Sequence, residues 1–492
     1  MARELAELGR EAERLEERLN VALDRLVPGL RRDLTEVTAE GVRARLRPGS
    51  ALAEFTRGRV FDFKATGKMR HWHPAHYYAF VVTPAPGGAT RMLDLGEAAP
   101  IDQAIERLRA KVIAFKDDWK AQKFAGDDPL KNETDEEASY REAAADLYKL
   151  LLAPVRKELG AAQTLYVSPD SQLNLLPFEA LVDADGKYLI ESYDLSYVSS
   201  GRELLAAPAE VARGTAVFAA PDYNMTAAAR AQKLKGSPAA TPAPAAAPAE
   251  VARAQTRGGT WVELKGSAAE AADVKKSLEG TAYGGVTSYL AQDALEERLK
   301  RVRSPRLLHV STHGFFPPES REQEPAELDL ATGNVALVGQ SMLRQAGDPL
   351  LESGLVLAGA NRLGEAGRPE GLDDGWVTAE EITQMDLRGT ELVVLSACGT
   401  GLGAVSSGEG IYGLRRAFQL AGARGVVSTL FEVPDEDSAR LMRDFYEGLK
   451  QQKPKSVALT YARLKLINER RKAGKSAHPF FWSGFVLTGG QN

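Results

Sequence analysis

Cysteine is almost missing from these 492 residues: there is one, Cys398. That count rules out an intrachain disulfide, fits a reducing compartment, and leaves a single candidate for a thiol nucleophile. Long apolar runs are missing too. No stretch approaches the ~18 consecutive apolar residues of a membrane span, and the amino terminus is charged and helical rather than signal-like, so a cytoplasmic chain is expected. An excess of charge of one sign is also lacking. The 62 basic and 67 acidic side chains are interspersed and leave a net charge of −5, which argues against direct binding of nucleic acid or an anionic membrane and favours a protein partner. What is present is ordinary for a globular protein, with 44% hydrophobic and 26% charged residues. At ~100–200 residues per domain, the length predicts two or three domains.

From Glu4 to about Arg32, Leu5, Leu8, Leu15, Leu19 and Leu23 recur at helical spacing between charges. This predicts an amphipathic helix with too little apolar surface to fold alone. Residues 1–46 are therefore read as a helical segment, the end of a helical repeat array or a stub packed on the next unit. Residues 47–212 form a first α/β unit, with strand-like runs at Tyr77 to Val82, Leu165 to Ser168 and Leu195 to Ser199. Helical patterns at Ile101 to Phe115 and Tyr140 to Leu152 alternate with them.

Residues 213–492 form a second unit that opens with the strand Ala216 to Ala219 and the turn Pro221-Asp222. It is interrupted at about 224–259 by an alanine- and proline-rich stretch with no packable face, read as a mobile surface insertion. A helix at Ala268 to Leu278 follows, then short apolar strands at Leu307 to Ser311, Leu392 to Leu395 and Gly425 to Thr429. The helix Asp437 to Lys450 comes next, with Asp435 or Asp437 as its expected amino-terminal cap. Strands alternating with helices predict a mainly parallel sheet sandwiched by helices, whose reactive groups gather beyond the carboxyl ends of the strands.

Two segments carry the chemistry: LLHVSTHGFF, ending at Phe316, and ELVVLSACGTGLG, ending at Gly403. Each is an apolar strand running into a glycine-containing turn with a reactive residue at its tip. Adjacent parallel strands ending this way would bring His313 to Cys398. A thiol of pKa ~8.5 is mostly protonated at neutral pH, and a neighbouring imidazole takes its proton or stabilises the thiolate. The pair is the minimal machinery for acyl transfer. The amides of Gly314 and Cys398 are the candidate oxyanion-hole donors. The bland alternative makes Cys398 a buried small hydrophobe and His313 a hydrogen-bonded structural residue.

From about Leu52 onward the sequence resembles the CHAT family of caspase-related bacterial proteins, which is also similar to separase. The resemblance is carried by LYVSPDSQLNLLPFEAL (Leu165 to Leu181), HVSTHGFF (His309 to Phe316), SGLVLAGAN (Ser353 to Asn361) and VTAEEITQMDLRGTELVVLSACGTG (Val377 to Gly401). The long block Gly408 to Tyr446 and the terminal HPFFWSGFVLTG (His478 to Gly489) complete it. The resemblance implies a histidine–cysteine dyad on His313 and Cys398 and a non-catalytic caspase-like unit before the active one. It also implies a tetratricopeptide array at the amino terminus. Members look like proteases that cleave partner proteins in bacterial signalling and defence, including gasdermin-like pore formers, and many are held latent until a sensor or activator engages them.

Animal caspases carry Gln two residues before the nucleophile, in a pocket for aspartate; Ser396 stands there in this chain. Aspartate preference is therefore not expected. The loop FEVPDED lies where such enzymes build the pocket for the residue preceding the cut, so Glu432, Asp435 and Asp437 are candidates for binding Arg or Lys. The competing reading is that these acids cap the next helix or face water.

Other features are set aside. HWHPAH brings His71, His73 and His76 together but supplies neither cysteine nor acid to complete a metal site, so an exposed turn or strand edge is expected. His478 and its aromatic neighbours Phe480, Phe481 and Trp482 read as core packing. Glycine-rich GEG and GTGLG lack the lysine and frame of a nucleotide site. Glu409, Arg415 and Arg416 read as a solvated or pocket-flanking helix start, and Asn132 to Glu137 and Glu319 to Glu327 as solvated loops, the second with a further role as gate or self-cleavage linker. The expectation is thus a caspase-like cysteine endopeptidase that needs no metal or organic cofactor. Its rivals are an inactive scaffold of the same fold and a thiol acyl hydrolase of non-peptide substrates.

Overall fold

The computed structural model describes residues 37–62, 64, 72–125, 129–205, 211–235, 260–264, 266–315, 350, 353–362, 369, 371–396, 404–406, 410–431 and 433–490. The expected helix Glu4 to Arg32, and Glu319 to Glu327, lie outside the described residues, as do Cys398, Glu409, Glu432 and His71.

Among the described residues eleven strands share one sheet. They are β1 (Ser50–Gly58), β2 (His76–Val82), β3 (Thr90–Glu97), β4 (Thr164–Ser168), β5 (Asp194–Tyr197), β6 (Thr215–Pro221), β7 (Val286–Ala291), β8 (Leu307–Ser311), β12 (Leu392–Ser396), β15 (Gly425–Thr429) and β16 (Phe485–Gly489). Their order is β3-β2-β1-β4-β5-β16-β15-β12-β8-β6-β7. Two parallel blocks, β1-β4-β5-β16 and β15-β12-β8-β6-β7, meet where β15 and β16 pair antiparallel. The carboxyl-terminal strand is the seam. It leaves the second half of the chain and pairs with β5 of the first, so the sheet is continuous past residue 212. Smaller ladders join β9 (Gly314–Phe315), β10 (Gly354–Val356) and β11 (Trp376–Thr378), and β13 (Ala404–Ser406) with β14 (Gly410–Tyr412).

The main helices are α1 (Ala98–Ala125), α2 (Pro129–Leu151), α3 (Ala227–Leu234), α4 (Ser267–Leu278), α5 (Glu296–Lys300), α6 (Ala379–Thr383), α7 (Leu414–Leu420), α8 (Asp435–Lys450) and α9 (Lys455–Lys472). Alternation along the buried strands decides which helices cover which face. Leu307, Leu392, Val394 and Val427 pack with residues of α1, α2, α4, α8 and α9, whereas Leu308, Val310, Val393, Leu395 and Val426 pack with α5, α6 and α7. Central strands buried on both faces read as continuous apolar runs, which is why β8 and β15 span the residues expected from sequence. The start of α6 is set locally: Thr378 accepts from the Glu381 amide while Glu381 reaches back to the Thr378 amide.

Four expectations are corrected. Asn132 to Glu137 is not a solvated loop but part of α2. Glu133 is buried against Arg470 at 3.0 Å, and Glu137 accepts from Ser476 Oγ and the Ala477 amide at 2.9 and 2.7 Å. The stretch from Asn224 is not wholly a mobile insertion, because α3 starts three residues on, capped by Thr226, and buries Arg230 beside Glu297; residues 236–259 lie outside the described residues. Neither Asp435 nor Asp437 caps α8. Pro434 is the cap residue, and the backbone of Asp435 already belongs to the first turn. Arg415 is not solvated: it is buried, its Nη1 3.4 Å from Thr488 Oγ1, and loss of water lowers its pKa to about 10. His478, by contrast, does sit in the core, stacked on Phe115 with centroids 3.8 Å apart.

Candidate active site

β8 and β12 are neighbours, parallel and in register, with Leu307 opposite Leu392 and Ser311 opposite Ser396. Both are short because the apolar run ends, and both chains leave the sheet at the same edge. His313 stands two residues beyond Ser311, and in the sequence Cys398 stands two residues beyond Ser396.

The imidazole of His313 is half-buried and held on three sides. Its Nε2 lies 2.8 Å from the Val262 carbonyl oxygen. A carbonyl only accepts, so Nε2 carries the proton and Nδ1 keeps its lone pair in the neutral ring. Trp261 and Tyr223 flank the ring at centroid distances of 5.2 and 5.4 Å. Behind it, the Tyr223 hydroxyl donates to Thr312 Oγ1 (2.9 Å), which donates to the Val356 carbonyl (2.5 Å). Burial pushes the Tyr223 hydroxyl up to about 12, so it remains a neutral donor.

The segment bearing Val262 is tied down by Asn361. Its Oδ1 accepts from the Trp261 amide at 2.8 Å, and its Nδ2 donates to the Trp261 carbonyl at 2.9 Å and to Asn224 Oδ1 at 3.0 Å. Trp261 also packs edge-on against Trp376, 5.6 Å away. Trp261, Val262, Asn361, Tyr223 and Thr312 were not found from sequence. The available signals were the asparagine closing SGLVLAGAN and a tryptophan just after a low-complexity stretch.

Gly314 opens β9, opposite Leu355. The Val356 amide donates to the His313 carbonyl at 3.1 Å, and bonded and non-bonded pairs alternate along an antiparallel ladder, so the Gly314 N–H turns away from β10.

Beside this edge, on the α4 and α8 face, lies a small, half-open cleft of about 50 Å³. Ser311, Ser396 and Thr429 bring the ends of three parallel strands to it, and Leu264 lines it two residues past the carbonyl that holds His313. Of the expected pocket residues, Ser396 lines this cleft. Asp437 is buried elsewhere, with Arg470 and Arg440 as its charge neighbours, and desolvation raises its pKa. The backbone of Asp435 opens α8. Of the histidine-rich segment, His73 is exposed and His76 opens β2 with its Nδ1 2.8 Å from Asp94 Oδ1 on β3. Among the described residues no group of three or more histidine, aspartate or glutamate side chains is arranged to hold a metal ion, and no helix is long and apolar enough to cross a membrane.

Comparison with solved structures finds the separase–securin complex of Saccharomyces cerevisiae, with a TM-score of 0.40 and 10% identity, covering 92% of this chain and 31% of that one. The chain thus spans about a third of that separase chain. The Arg-specific cysteine proteinase gingipain R also matches (TM-score 0.36, 8% identity, 71% of this chain and 67% of that one). So does a complex of Porphyromonas gingivalis RgpB pro- and mature domains (0.32, 8%, 71% and 69%). Among curated proteins no match was found. The model of the CHAT domain matches residues 141–490, well over half of the sequence, and the chain belongs to the CHAT domain family.

Proposed function

We propose that this chain is a cysteine endopeptidase acting through Cys398 and His313. The observation that carries the reading is the pairing of Ser311 with Ser396 on adjacent parallel strands, each two residues ahead of one member of the dyad. The orientation of His313 supports it, since the nitrogen held by Val262 is the protonated one and the other is left basic.

In this reading His313 Nδ1 takes the thiol proton as sulfur attacks the peptide carbonyl carbon. The C–S bond forms, and the oxyanion accepts from the Gly314 and Cys398 amides. Collapse breaks the C–N bond, and the imidazolium gives its proton to the leaving amine. His313 then deprotonates a water that attacks the thioester, and thiol and acid product are released. The substrate is a protein. Membership of the CHAT family supports a partner in bacterial signalling or defence, such as a gasdermin-like pore former, with a sensor or activator upstream.

A pooled peptide library incubated with the chain tests this. Discrete cleavage products are expected from the wild type and from neither Cys398→Ala nor His313→Ala. Equal products from the wild type and Cys398→Ala would rule out the thiol as nucleophile, and no products from any of them would favour a scaffold.

A further inference from the structure

Glu270, Ser267 and Ser311 of the cleft lining belong to a buried polar chain. Tyr446 on α8 places its hydroxyl 2.7 Å from His309 Nδ1, and His309 Nε2 lies 3.5 Å from Glu270 Oε1 on α4. Ser311 Oγ donates to Glu270 Oε2 at 2.8 Å, and Ser267 Oγ, one turn earlier on α4, donates to the Ser311 carbonyl at 2.9 Å. Burial lowers the pKa of His309 to about 3 and raises that of Tyr446, so the ring is neutral and the phenol protonated. Tyr446 therefore donates to Nδ1, which puts the His309 proton on Nε2, facing Glu270. Ser311 thus holds one carboxylate oxygen of Glu270 and fixes its direction, while the other faces the His309 ring.

This carboxylate is the one charged group among the described residues lining the cleft. Around it stand the hydroxyls of Ser396 and Ser438, while Leu264, Val433 and Phe485 supply apolar wall. Ser438 Oγ is buried with no hydrogen-bond partner among the described residues. A side chain suited to this lining has an aliphatic stem to cover the wall and a cationic, multiply donating head for the carboxylate and hydroxyls. Leucine would bring no donor to the Ser438 hydroxyl or the carboxylate, and aspartate would bring like charge to Glu270.

We infer that the cleft between β8, β12, α4 and α8 receives the substrate residue preceding the cut, that this residue is arginine or lysine, and that Glu270 selects it. The inference rests on the peptidase reading, because Ser396 ties the cleft to the chain leading into Cys398 and Leu264 ties it to the segment holding His313. It locates the selecting charge on α4, some 160 residues before the FEVPDED loop.

Peptides differing only at the residue before the cut, Arg, Lys, Leu or Asp, test it with wild type and Glu270→Gln, whose amide keeps the size of the carboxylate. The wild type should turn over the Arg or Lys peptide with kcat/KM at least about tenfold above Leu, and the variant should lose about ten- to a hundredfold of that ratio, the range of a charge-assisted hydrogen bond. A wild type that cleaves Leu as fast as Arg and Lys overturns the inference and leaves the peptidase reading standing. So does a ratio unchanged in Glu270→Gln. No cleavage of any peptide, with a thiol inert to all four matching peptidyl electrophiles, overturns both. Because the wild-type ratio alone decides against or for basic selectivity, a variant that unfolds does not shelter the claim.

Discussion

A carbonyl oxygen that accepts from Nε2 of His313 fixes which nitrogen remains basic, and the length of the Asn361 side chain fixes where that carbonyl sits. In the proposed mechanism Asn361 acts by positioning Trp261 and Val262, so Asn361→Ala should lower kcat by about ten- to a hundredfold with little change in KM, since small misplacements of a catalytic group cost rate. Stopped-flow or steady-state kinetics on one good peptide would show the split. A rise in KM alone would mean the segment serves binding instead. The place of His313 just past a strand end was legible in sequence because an apolar run, a polar tip and a glycine fall together. Its support was not, because Val262 lies 51 positions before it and Asn361 48 positions after it. Nothing local to HVSTHGFF announces a carbonyl partner.

Strand by strand, the central sheet was the most readable part. Leu307 to Ser311 and Gly425 to Thr429 are uninterrupted buried runs, and burial on both faces leaves such a pattern little other use. The short strands β9, β10 and β11 were missed, since two or three residues carry no periodicity. Their packing is nonetheless tight. A Cβ on Gly354 would stand 2.1 Å from the Val377 carbonyl oxygen and 2.6 Å from the Phe315 ring. Gly354→Ala should therefore force β9 and β11 apart, at a cost of about 1–3 kcal/mol by analogy with overpacked cores, and shift His313 with them. A melting temperature equal to wild type, measured by circular dichroism, would show that this small sheet yields without cost. The acidic run in α2 was misread for a different reason: Arg470, which neutralises Glu133, lies 337 residues away, and no local rule sees such a partner.

For the molecule as a whole, the carboxyl-terminal segment joins the two halves of the chain. Arg463 on α9 pairs with Glu179 at 2.9 Å with both side chains 1% exposed, and β16 enters the sheet between β5 and β15. His478 docks the segment onto α1 and α2, stacked on Phe115 and edge-on to Tyr140. Burial, helped by the Arg470 charge, lowers its pKa to about 3. The unfolded chain, with an ordinary histidine pKa of ~6.5, binds one more proton than the folded chain between those values. Stability from this group is thus complete above pH ~6.5 and is lost as pH falls, by about 1.4 kcal/mol per unit.

Comparing urea midpoints near pH ~7.5 and ~5, His478→Asn, which keeps an acceptor for the Phe480 amide, should remove about 2 kcal/mol of the acid sensitivity. An unchanged pH dependence would place the titration elsewhere, His309 being the other deeply depressed histidine. Length predicted two or three domains; the shared sheet was hidden because β16 lies almost 290 residues from its partner β5.

The proposed activity needs a reactive thiol activated by one imidazole, and the lone cysteine makes that directly measurable. Intact-protein mass spectrometry after treatment with a peptidyl acyloxymethyl ketone should show one adduct, mapped to Cys398, forming rapidly in the wild type and at least about a hundredfold more slowly in His313→Ala, as expected when a thiol loses its base. Equal labelling rates in the two proteins, or a thiol that reacts no faster than free cysteine, would contradict it.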